Sequence, residues 1–133
     1  MKIKNRKTIV INANIVNSGT FNFQIDNVPF FANEMIIRGY HWTDNISTNI
    51  SGCVYSDLIN NYPLFAFGTD LSNSTNPVVY TYLNDSKMLE LHHTINKNVN
   101  NTYKFNIING NGNIGSYSGY LYIYLEFIEY EIK

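Results

Sequence analysis

Gly119-Tyr-Leu-Tyr-Ile-Tyr-Leu-Glu-Phe-Ile-Glu-Tyr130 is the stretch on which the fold turns. Leu121, Ile123, Leu125 and Phe127 recur at every second position, and Tyr120, Tyr122, Tyr124 and Glu126 fill the positions between them. Successive side chains of a strand point to opposite faces, so this alternation predicts one strand with an apolar core face and a tyrosine row on the other. After Phe127 the apolar set changes phase to Ile128, Tyr130 and Ile132. A bulge that slips the pairing by one residue between Glu126 and Glu129 is the expected cause.

The same chemistry recurs upstream in short β-branched and aromatic runs separated by Asn, Gly, Ser and Pro, while helical periodicity is nearly absent. The predicted strands are Lys7–Val16, Thr20–Ile25, Met35–Trp42, Gly52–Asp57, Leu64–Gly68, Val78–Leu83, Met88–His92, Thr102–Ile108 and Ser118–Tyr130. A single short helical turn is expected near Ser56–Asn61, where Ser56 and Asp57 are capping residues and Tyr62-Pro63 ends it. The fold class is therefore all-β: one jelly-roll-like β-sandwich of about eight to nine antiparallel strands over residues 1–133. Lys2, Lys4, Arg6 and Lys7 mark residues 1–6 as a candidate basic N-terminal arm.

Composition limits what such a domain does. Of the 133 residues, 44% are hydrophobic and 15% aromatic, which is ample for a core and excludes a disordered chain. Charged residues make up only 14%, with a net charge of −1, so the positive field that nucleic acid or an anionic membrane requires is missing. No apolar run approaches the ~20 residues of a membrane helix, and no leading segment reads as a signal peptide. The one cysteine, Cys53, forms neither an internal disulfide nor a cysteine-based zinc site. Five Asn-x-Ser/Thr sequons, at Asn45, Asn49, Asn73, Asn84 and Asn100, are what a chain rich in these residues contains by chance.

Each motif that suggests chemistry has a plainer reading. Gly110-Asn-Gly-Asn-Ile-Gly115 matches a dinucleotide fingerprint in letters, but a strand follows it where the fingerprint needs a helix N-terminus. A glycine-supplied hairpin turn accounts for the same residues. His92 and His93 are neighbours on a strand and point to opposite faces, so they do not chelate one metal together, and His41 is the only other histidine. Cys53 lies in a strand-like run where a buried, inert thiol is expected. Asp57 with Asp70, or Asp85 with Asn84, lacks the spacing of a calcium loop. No nucleophile elbow, zinc-protease pair or phosphate loop is found, so no enzyme, cofactor or metal is expected. Trp42, ending a strand beside the polar loop 43–51, is a candidate ligand or rim contact for a sugar or a neighbouring subunit.

The tyrosine row of Tyr120, Tyr122 and Tyr124 is either a ring row paired within its own sheet or a flat surface buried by another subunit. A bare edge strand this aromatic invites aggregation, so the strand is expected to be central in its sheet or covered.

Three stretches resemble a known family: Asn27-Val-Pro-Phe30 leading to Met35-Ile-Ile-Arg38, then Val54-Tyr-Ser-Asp-Leu-Ile59, and the closing Gly119 to Phe127. They are similar to the small β-sandwich structural proteins of virophages, polinton-like viruses and giant DNA viruses. The resemblance implies a minor capsid, cement or spike-head protein of the virion that forms homo-oligomers or docks on capsid proteins, and the lone Cys53 points to synthesis in the host cytoplasm. The chain is shorter than a usual major capsid or penton protein, which favours a trimeric knob or accessory subunit. A carbohydrate-binding sandwich resting on Trp42 and exposed tyrosines, with a host glycan as ligand, is the alternative.

Overall fold

The computed structural model describes residues 2–43, 51–60, 62–68 and 91–132. The alternating stretch becomes β8 (Tyr117–Tyr130), preceded by β1 (Ile3–Ser18), β2 (Thr20–Ile25), β3 (Phe31–Thr43), β4 (Ser51–Ser56), β5 (Tyr62–Gly68), β6 (Leu91–Asn98) and β7 (Asn101–Ile108). All pairings are antiparallel, and they nest: β1 with β8, β2 with β7, β3 with β6, β4 with β5. Links β3 to β8 and β4 to β7 complete two four-stranded sheets, ordered β1-β8-β3-β6 and β2-β7-β4-β5. Nested pairs wrapped into two facing sheets make a jelly roll, the β-sandwich that the sequence predicts.

The core lies between the sheets. β8 contributes Leu121, Ile123, Leu125 and Phe127, and β1 answers at the same period with Ile9, Ile11, Ala13 and Ile15. The second sheet supplies Val54, Leu64, Phe65, Phe105 and Ile107. Tyr40 of β3 stacks on Phe65 of β5 with ring centroids 4.7 Å apart, joining the two sheets directly. Phe21 and Phe105, paired across β2 and β7, stack at 4.9 Å. Aromatic pairs at this separation add about 0.5–1.5 kcal/mol beyond the area they bury.

Three sequence expectations change. Pairing runs unbroken through Glu126 to Glu129 against β1, and through Glu126 to Ile128 against β3, so there is no bulge there. The phase change has another cause: Phe127 faces the core while Ile128, 1% exposed, is buried on the outer face beside Ile36 at 3%. Charged residues flank Ile128 on that face, Arg6 on β1 and Glu34 on β3. The stretch read as an arm is paired strand from Ile3 onward, with Ile3 opposite Tyr130 and Arg6 opposite Ile128, and Glu131 N–H donates to the Lys2 carbonyl at 2.8 Å. Lysine and arginine on an unpaired strand edge discourage further strands from adding, which is their role at the start of β1. The strand predicted at Met88–His92 is β6, which runs on to Asn98, whereas Val78–Leu83 lies outside the described residues.

Two local expectations hold. Ser56 caps a three-residue 3₁₀ turn, Asp57–Ile59, its hydroxyl accepting from Leu58 N–H at 3.1 Å, and Asn60 closes it in the left-handed region. The glycine-rich Asn109–Ser116 segment turns as expected, with a single Ile108–Ile114 bridge across it, but it then crosses between the sheets from β7 to β8, which do not pair as a hairpin: Gly112 N–H donates to the Asn109 carbonyl, and the Asn109 side chain accepts from Asn111 and Asn113. Gly112 sits at φ +81°, a conformation glycine adopts without steric cost. A Cβ on Gly19 would come 2.3 Å from the Gly115 carbonyl oxygen, so this loop and the β1–β2 turn meet backbone to backbone.

Burial pushes the phenols of Tyr103 and Tyr117 above their ordinary value. A phenol whose pKa is raised by folding lends stability that is complete below its unfolded value near 10 and lost as pH rises through the folded value. Urea midpoints are therefore expected to hold between pH 8 and 9.5 as far as these phenols are concerned, and to fall above about pH 10. Absorbance titration of phenolate should show a late-ionising class that disappears in urea. A single titration near 10 for every tyrosine would contradict the burial of these two.

Candidate assembly surface

The outer face of the first sheet carries the tyrosine row. β8 lies between β1 and β3, so the row is central, one of the two outcomes the sequence allowed. Tyr120 is 48% exposed, and Tyr122 and Tyr124 are half-buried. On one side they pair with Asn14, Asn12 and Val10 of β1, all exposed. On the other, Tyr124 pairs with Gly39, which has no side chain to cover the ring. The result is an aromatic strip edged by amides, with apolar bodies and polar tips, as interface cores favour. Trp42 pairs in register with Leu121, and its side chain lies outside the described residues.

Below the strip the same face is charged. Glu126, with 10% of its side chain exposed, accepts from Arg38 Nη2 at 2.7 Å and lies 3.7 Å from Arg6 Nε. A carboxylate this deeply buried is stable only when paired, and here two guanidinium groups compensate it. Arg38 reaches it because β3 carries an extra residue between Ile37, opposite Leu125, and Gly39, opposite Tyr124. Next to this knot, Glu34 Oε1 contacts His92 Nδ1 at 2.7 Å and accepts from the Tyr130 hydroxyl at 3.1 Å. Burial and the Glu34 carboxylate raise the Tyr130 pKa, keeping the phenol a donor. Sequence reading missed both clusters; the available signal was Glu126, placed between Leu125 and Phe127 in the most apolar part of the strand.

The remaining candidates do not converge. His92 is on the outer face, whereas His93 Nε2 contacts the Leu64 carbonyl of the opposite sheet at 3.3 Å, so the adjacent histidines serve opposite faces as alternation requires. Among the described residues no three His, Cys, Asp or Glu side chains are grouped to hold a metal ion. Asp57 accepts from Lys104 N–H at 2.9 Å, a structural bond; Asp70, Asn84 and Asp85 lie outside the described residues. Cys53 is half-buried rather than buried, and desolvation pushes its thiol pKa up, which lowers its reactivity. Its labelling by a disulfide reagent at pH 8 is expected to be severalfold slower than that of the same cysteine in urea. Equal rates would show that the native thiol is not desolvated. No helix among the described residues is long and apolar enough to cross a membrane.

Together these features define a jelly-roll domain with an aromatic and amide outer sheet face above a buried charged knot. No family model and no curated protein matches the chain. Among solved structures it is similar to a protein of the disulfide-linked pili of Bacillus endospore appendages, at 10% identity and a TM-score of 0.39, over 96% of this chain and 88% of that one. It is also similar to VP2 of the infectious bursal disease virus subviral particle, at 13% identity and a TM-score of 0.40, over 97% of this chain. The T=1 particle derived from infectious bursal virus gives 12% identity and a TM-score of 0.28 over 94% of this chain. The chain spans 38% and 37% of the two viral chains. Likeness at these scores attaches no function to the chain.

Proposed function

We propose that this chain is a non-enzymatic structural protein of a virion, a capsid-associated or spike-head subunit that acts by homo-oligomeric assembly, with a trimer favoured. The observation that carries the assembly reading is the strip of exposed Tyr120 and half-buried Tyr122 and Tyr124 on a central strand, bordered by Val10 and neutral amides. A rigid sheet presents these rings at little entropic cost, and tyrosine is enriched where interfaces concentrate their binding energy. The viral part rests on the sequence resemblance, with fold-level analogy beside it, since jelly rolls serve as capsid domains and as lectins. On this reading capsid proteins are further partners, and the chain is made in host cytoplasm and resides in the virion.

Sedimentation equilibrium from micromolar to submillimolar concentration tests it. The wild type is expected to self-associate, and Tyr120→Arg to raise the dissociation constant at least about tenfold, because a guanidinium would be buried without a partner. Thermal melting of the variant should match the wild type, since Tyr120 is half exposed. A wild-type chain that stays monomeric across the range overturns the proposal.

A further inference from the structure

The lower end of the same sheet holds an open groove of about 710 Å³, lined by Asn33, Glu34, Thr94, Asn96, Tyr130 and Ile132. It is built on an irregularity: Ala32 pairs with Lys97 and Glu34 with Thr94, so Asn33 faces two residues of β6, Ile95 and Asn96. Asn96 takes φ +46°, unusual for a residue with a side chain and characteristic of one kind of bulge. Bulges gather where a strand must redirect a side chain toward a site, and backbone held in a sparsely populated region is a pointer to function.

The polar groups are fixed in advance. Asn33 accepts from Tyr130 N–H at 2.9 Å and donates to Asn96 Oδ1 at 3.1 Å, which leaves the Asn96 amide nitrogen as a donor. Glu34 Oε1 takes both His92 and the Tyr130 hydroxyl, which leaves Oε2 as an acceptor. A donor and a charged acceptor lining one groove can serve the paired donor and acceptor of vicinal hydroxyls. The half-buried ring of Tyr130 and the exposed side chain of Ile132 supply apolar surface for the C–H face of a pyranose.

We propose that this groove binds a neutral saccharide ring. Its lining excludes other classes among the described residues. No Lys or Arg lines it, and Glu34 and Glu131 do, so phosphates and sialylated or sulfated sugars are repelled. The amides and carboxylates would be left unpaired under a lipid chain. The site is independent of the tyrosine strip and of whether the chain assembles.

Backbone-amide NMR of the full chain tests it, with D-galactose, D-glucose, D-mannose and N-acetyl-D-glucosamine each titrated into the millimolar range. At least one sugar is expected to shift the amides of Asn33, Glu34, Thr94, Asn96 and Ile132 saturably and to leave those of Tyr120 and Tyr122 unmoved. Glu34→Gln is expected to weaken binding about tenfold, the order lost with a hydrogen bond to a charged acceptor. Thr94→Lys, on the exposed edge strand, fills the groove and should abolish binding without altering the rest of the spectrum. Absence of saturable shifts with all four sugars overturns the proposal. So does binding that survives Thr94→Lys, or saturable binding of N-acetyl-lysine amide in place of every sugar, which would mark the groove as a cation site.

Discussion

Phe127→Ala is expected to lower the free energy of unfolding by about 3–5 kcal/mol, a large fraction of the 5–15 kcal/mol typical of a domain. Phe127 is fully buried on β8, opposite Lys7 of β1 and Met35 of β3, and is among the largest side chains in the core. Truncation removes the transfer free energy of the ring and leaves a cavity that strands paired on both sides of β8 cannot collapse into. Urea unfolding followed by circular dichroism measures the loss, and Phe127→Leu should recover more than half of it because most of the volume returns. The control is Tyr120→Ala on the same strand, half exposed, where a change within about 0.5 kcal/mol is expected. A loss below about 1 kcal/mol at Phe127 would contradict a core centred on β8.

That strand was legible because its pattern is local and strong. Leu121, Ile123, Leu125 and Phe127 are each placed by their spacing alone, and all four are buried. Ile128 was misread because its burial depends on what covers the outer face: Arg6, more than a hundred residues away, pairs beside it, and Glu34 lies on its other side. β6 was cut short for a related reason. On an edge strand only Leu91, His93, Ile95 and Lys97 turn toward protein, and His92, Thr94, Asn96 and Asn98 are exposed, so the segment has the composition of a loop. Its pairing comes from β3, a partner about sixty residues earlier. The tyrosine row was visible as a row, but its central place in the sheet was not. The groove was invisible for the strongest reason: Asn33, Glu34, Thr94, Asn96 and Tyr130 come from three strands, and no spacing rule links them. What the sequence did contain was a left-handed-tolerant Asn at position 96 and polar residues where a strand pattern faltered.

Arg38→Met is expected to cost about 3–5 kcal/mol, because it leaves the Glu126 carboxylate buried with only the more exposed Arg6 at 3.7 Å. Replacing both partners, Arg38→Met with Glu126→Leu, should return most of that loss, since apolar residues of similar size remove the uncompensated charge as well as the pair. A double-mutant cycle measured by urea unfolding therefore predicts strongly non-additive changes, with a coupling of about 2–3 kcal/mol. Additive losses would mean that Arg38 acts through packing of its stem alone. The distinction bears on the function of the face. Glu126 sits between the aromatic strip above and the Glu34 groove below, and the extra residue in β3 that directs Arg38 onto it also places Gly39 beside Tyr124. If the apolar double variant keeps stability but loses self-association, the knot serves to hold Gly39 and the tyrosine rings in the register that a second subunit recognises. If it keeps both, the knot is a structural element, and the strip assembles without it.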